Sequence, residues 1–169
     1  MKKEKLMKIM KDIKETAPDI LSSPNFLSSD INIQHGSISV MKHSKKVACA
    51  SLALCRALRI KADERAIMRG ALLHDYFLYD WHTPEYGGFW NLHGFYHPGR
   101  ALKNAEKEYA LSDRERDIIR KHMWPLTVVP PKYKEAWIVT LADKYISTTE
   151  SIHFIKAARA RKQRYIDIR

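Results

Sequence analysis

The stretch "GALLHDYFLYDWH", residues 70–82, closes an apolar run on an ionisable pair, His74 and Asp75. A carboxylate at a core position is costly unless it is paired, hydrogen-bonded or bound to a metal. Its partner is therefore the thread to follow outward. Upstream, Asp63 is placed to cap a helix over "ERAIMRGALLHDYF". Before that, a helix from about Ser39 carries Val47, Ala50, Leu54 and Leu58 on its expected buried face, with His43 heading the same stripe. Leu6, Ile9, Met10 and Ile13 form one face of an opening helix that should end near Pro18. Residues 22–42, rich in Ser and Asn, read as loop with a short turn.

Downstream, residues 78–96 are crowded with Tyr, Trp, Phe, Gly and His and show no helical or strand period. A loop of that length in a small domain is more often functional than incidental. Pro98 suits the first turn of the next helix, "PGRALKNAEKEYA". Ser112 and Glu115 have the spacing of a capping box for "DRERDIIRKHMW", which must stop before Pro125. A turn-rich connector then leads into a long helical segment from about Lys134, in one or two pieces. Without repeats or strand alternation, the expectation is all-α: one domain over residues 1–169, with its core at about 40–150, an N-terminal helix and a basic C-terminal extension.

Length and composition, with 169 residues, 45% hydrophobic and 29% charged, suit one globular core. No run approaches the ~18 apolar residues of a membrane span. The lysine-rich N-terminus lacks a signal peptide's apolar segment, and Cys49 and Cys55 form neither a disulfide framework nor a metal-type pair. The expected location is cytoplasmic. A net charge of +11 favours anionic partners such as phosphate esters and nucleotides. The charge clusters at the chain ends, as solvated helix faces usually do. Nucleic acid is compatible with it, but no recognition motif supports that partner.

Eight His and ten Asp would yield about half an HD dipeptide in a shuffled chain, so the pair alone decides little. Placement decides more. His43 heads a buried stripe, His74 lies on the inward face of its helix, and His122 follows Ile118 by four residues. Asp143 interrupts "WIVTLADKYI", the most apolar helix, and His97 immediately precedes Pro98. Ionisable groups on inward faces of separate helices point to one buried polar site, and helical bundles build metal sites this way.

The order His43 … His74-Asp75 … Asp143, with spacings of 31 and 68 residues, resembles the HD-domain superfamily over roughly residues 40–150. That resemblance implies an all-helical bundle whose four residues bind a divalent metal, most often to hydrolyse phosphate esters. His97 in "HPGRA" and His122 in "RKHMWP" resemble the extra histidines of the two-metal subclass, where the Asp of the pair bridges both ions. Carried over, Asp75 bridges, His43, His74 and Asp143 complete one site, and His97 and His122 serve the other. One or two ions of Fe, Mn, Zn, Co or Ni are implied, the ligand types not distinguishing them. "YFLYDWH" and "EYGGFW" depart from the HD-GYP pattern, so cyclic-dinucleotide cleavage is not assigned.

Each residue also has an ordinary role: a core imidazole for His43, an ion pair to Lys144 for Asp143, a helix cap for His97, a helix-dipole contact for His122. The expected function is hydrolysis of a phosphate monoester or diester of a small anionic metabolite, with His74 and Asp75 catalytic. His82, His93, Arg100, Lys121 and Lys144 are candidate substrate contacts, and Asp80 a candidate leaving-group acid. The rivals are an HD-type di-iron oxygenase and a non-catalytic metal-binding regulatory domain. Substrate and oligomeric state are not readable from these residues.

Overall fold

The computed structural model describes the backbone of residues 3–80 and 93–167, and their side chains except those of His35 and 162–167. The chain runs α1 (Lys3–Thr16), α2 (Pro18–Leu21), α3 (Pro24–Ser28), a hairpin of β1 (Ile33–His35) and β2 (Ile38–Ser39), then α4 (Val40–Ala57), α5 (Glu64–Leu73), α6 (His93–Glu108), α7 (Asp113–Lys121) and α8 (Lys134–Asp167). The fold is all-α apart from that hairpin. Helix starts follow their capping chemistry: Ser39, Asp63 and Ser112 each accept a backbone N–H of the first turn. At Ser112 the capping box is complete, Glu115 reaching back to the Ser112 N–H.

Helix α4 is the central element, packed against α5 on one side and α8 on another, with α7 closing the group against both. Val47, Leu52, Ile67, Leu72, Ile118 and Val139 fill the shared core. Gly70 sets how closely α5 and α7 approach, because a Cβ there would lie 2.6 Å from Ile118 Cδ1 and 2.9 Å from its Cγ2. Beneath this packing, the buried Arg69 guanidinium bonds the buried Glu115 at 2.8 Å and Asp19 at 2.7 Å, which neutralises a charge the core could not otherwise hold.

Three expectations change, and of the two forms expected for the last helix the single piece is found. The 22–42 segment forms α3 and the hairpin, whose turn needs Gly36 at φ +62°; its strands are too short to show alternation. The buried stripe of α4 keeps His43 and Val47 but continues through Ser44, Ala48, Ser51, Leu52 and Cys55, whereas Leu58 is exposed. Helix α6 begins at His93, so Pro98 lies inside it rather than in its first turn. Helix α8 is one piece of 34 residues, buried in part up to Glu150 and exposed at every position from 151 to 161. Among the described residues, no helix is long and apolar enough to cross a membrane.

Candidate metal centre

Three imidazoles are oriented by one device. His74, at the C-terminal cap of α5, places Nδ1 2.8 Å from the Ala71 carbonyl oxygen. His122, capping α7, does the same with Ile119 at 2.9 Å, and His97 on α6 with His93 at 3.0 Å. A carbonyl only accepts, so each Nδ1 carries the hydrogen and each Nε2 points inward as the coordinating nitrogen. His43, from α4, is held at its back by Glu150, with Nδ1 2.9 Å from Oε2, and presents Nε2 3.0 Å from Asp143 Oδ1.

Asp75, just past the end of α5, lies between two sets of these nitrogens. Its Oδ2 is 3.2 Å from His74 Nε2 and 3.8 Å from His43 Nε2. Its Oδ1 is 3.2 Å from His97 Nε2 and 3.4 Å from His122 Nε2. Gln34, from β1, donates its amide N–H to Oδ2 at 2.6 Å. Asp143 Oδ1 accepts from the Ser147 hydroxyl at 3.1 Å and lies 3.7 Å from His74 Nε2. All six side chains are buried.

Burial opposes every charge here, and the neighbours decide the outcome. The Asp75 carboxyl is held well below the usual carboxylate range by the His74 charge and by the His122 and His97 rings that face it. Burial likewise fails to raise Asp143, which His43 and His74 hold far below its ordinary value. Against burial, His74 rises well above the ordinary imidazole value through Asp75 and Asp143, and His43 rises through Asp143 and Glu150. Burial wins only at His122, whose value is lowered.

Protein groups alone leave this cluster unsatisfied. His97 Nε2 and His122 Nε2 stand 2.8 Å apart although each ring already spends its hydrogen on a carbonyl. His74 Nε2 and Asp75 Oδ1 are buried without a hydrogen-bond partner. A cation removes both conflicts, and the ligand atoms of His43, His74 and Asp143, and of His74, Asp75 and His122, each lie within 4.8 Å of one another. The residues fit a divalent ion, and nitrogen with carboxylate oxygen suits Mn, Fe, Co, Ni or Zn.

A cavity of about 660 Å³ opens onto the cluster, its wall including Asp75, His97, His122 and Asp143. Of the candidate substrate contacts, His93 and Lys144 line it. His93 is stacked on His97 with centroids 4.6 Å apart, and the Tyr79 hydroxyl lies 3.0 Å from its Nδ1. Arg100 instead sits over the Tyr79 ring at 5.1 Å, and Lys121 is ion-paired with Asp117 at 2.8 Å beside a different recess. Asp80 is exposed and absent from the described wall. His82 lies outside the described residues.

Ser147, Glu150 and Gln34, all in contact with residues of the site, escape the sequence reading. Glu150 follows Asp143 by two turns on the same face of α8, a spacing that could have pointed to it. Gln34 gives no such signal, because a strand of three residues is too short to show a period.

An all-helical bundle enclosing a His–Asp cluster that fits a divalent ion defines the class of this protein. The HD domain family model matches residues 40–148, and the chain belongs to that family. No curated protein and no solved structure matched the chain.

Proposed function

We propose that this protein is a metal-dependent phosphohydrolase that cleaves a phosphate monoester or diester of a small anionic metabolite such as a nucleotide, in a cytoplasmic setting. The observation that carries this reading is Asp75, placed between two sets of inward-facing histidine nitrogens at the base of a cavity. His43, His74, Asp75 and Asp143 would hold one divalent ion, and Asp75, His97 and His122 a second. Bound there, such ions supply Lewis acidity, lowering the pKa of water and offsetting charge on phosphoryl oxygens.

The chain's own groups do the rest. The net reaction forms a bond from a water oxygen to phosphorus and breaks the ester P–O bond, and one water proton ends on the released alcohol. Asp75 stays ionised, so it accepts hydrogen bonds, and the Gln34 amide fixes its rotation. Lys144 supplies a positive charge from the cavity wall to the phosphoryl oxygens. Glu150 and the three backbone carbonyls keep the imidazoles from turning, which removes reorganisation from the reaction itself.

The test is phosphate release from nucleotides and generic phosphate esters with Mn, Co, Ni or Fe. Activity should appear with metal and fall by about a thousandfold or more in Asp75→Ala, because both sets of residues that would hold the ions lose a member. The six-residue set also favours a di-iron oxygenase as second reading. Two irons per chain with oxygen consumption and no ester cleavage would establish that instead, and metal binding without either activity would indicate a regulatory domain.

A further inference from the structure

Two features of the cavity go beyond ester hydrolysis as such. The first is the unused half of Gln34. Its amide nitrogen faces Asp75, donating to the carboxylate Oδ2 at 2.6 Å, so its oxygen is turned away from that acceptor. The amide oxygen, Oε1, is left buried with no hydrogen-bond partner, on a side chain that lines the cavity. A buried acceptor without a donor is unfavourable and is normally satisfied by something that occupies the space beside it. The second feature is charge. Among the described cavity residues, Lys144 is the one Lys or Arg. The stretch 81–92, "WHTPEYGGFWNL", contains neither residue type. Of the neighbouring cations, Arg100 sits over the Tyr79 ring, Lys121 is paired with Asp117, and Arg120 lies with Lys121 in a different recess.

Resting on the hydrolase reading, we infer that the substrate is an ester of a single phosphate whose organic part carries a hydroxyl or N–H donor, with Gln34 Oε1 accepting from that donor and Lys144 facing the phosphate. The metal cluster and one lysine balance one phosphoryl group. A di- or triphosphate would bring further charge into a wall whose described residues offer no further Lys or Arg to meet it. A site with an acceptor waiting for a substrate donor discriminates strongly against an analogue that lacks it, since the acceptor then stays unpaired.

The full chain, loaded with Mn²⁺, is tested with two matched pairs: 2-hydroxypropyl phosphate against propyl phosphate, and adenosine 5′-monophosphate against adenosine 5′-triphosphate. Phosphate release gives kcat/KM, and calorimetric titration with the same four compounds gives binding independently of turnover. The first member of each pair should be favoured by about tenfold or more. Gln34→Met should bring the first ratio to within about threefold of unity while lowering the rates on both esters, since it also frees Asp75. The wild-type ratios alone decide the matter if that variant fails to fold. Cleavage of all four compounds without preference overturns this inference and leaves the hydrolase reading standing; it would mean that water, not substrate, satisfies Oε1. Discrimination in binding without any cleavage supports recognition of such a ligand by Gln34 and Lys144 and overturns the hydrolase reading, and with it the ligand's role as a substrate. Absence of both binding and cleavage overturns both.

Discussion

Glu150 illustrates how much of this site is set by residues that would not touch a metal. One carboxylate oxygen holds His43 Nδ1 at 2.9 Å and the other accepts from Lys46 at 2.9 Å. Burial works against the charge, yet His43 and Lys46 keep the carboxyl below its ordinary value, so it serves as a fixed acceptor. An acceptor on the far nitrogen sets the tautomer of a ligating histidine and raises its basicity. Glu150→Gln keeps the shape but removes the charge, and it should weaken metal affinity by about 10- to 100-fold with little change in fold. Competition with a chelator of known affinity measures this. Unchanged affinity would mean that Glu150 serves Lys46 and packing alone.

Helices α5 and α7 each end on a histidine of the cluster, and their separation is set one turn before His74 by Gly70. Gly70→Ala must move Ile118, whose Cβ and Cγ2 stand in the way as well as its flexible end. The expected result is a loss of about 1–3 kcal/mol in stability, read by denaturant titration, together with weaker metal retention as His122 shifts from His74. Retained stability and metal content would show that α7 yields without disturbing the site. Elements of this kind were legible wherever chemistry is local. Asp63 and Ser112 announced helix starts because a capping oxygen lies three residues from the N–H it serves. His43, His74 and Asp143 stood out because an ionisable group on an apolar helix face is conspicuous. The hairpin and Gln34 were hidden, since a strand pair of three and two residues leaves no measurable alternation. The early start of α6 was hidden too, because Pro98 sits inside it, where a proline ordinarily marks a first turn. The drift of the α4 stripe away from Leu54 and Leu58 reflects neighbours on two sides, α5 and α8, which widen its buried face beyond one line of residues.

Over the whole molecule, the formal charge of +11 is not concentrated where the cluster lies. Part of it sits on the exposed outer part of α8, where Lys156, Arg159 and Arg161 face no acidic residue within 151–161, while the buried Asp75, Asp143 and Glu150 surround the histidines with negative charge. The basic surface can draw anions toward the protein by long-range steering, but the base of the cavity suits a cation first and an anionic group only once that cation is present. A metal ion is therefore the first ligand that this site fits. The most direct measurement is elemental analysis of protein purified with neither added metal nor chelator, for the wild type and for His74→Ala. One or two equivalents of a divalent transition metal in the wild type, and a loss of most of it in the variant, is the predicted result. A folded His74→Ala protein with the same metal content as the wild type would contradict the account at its centre.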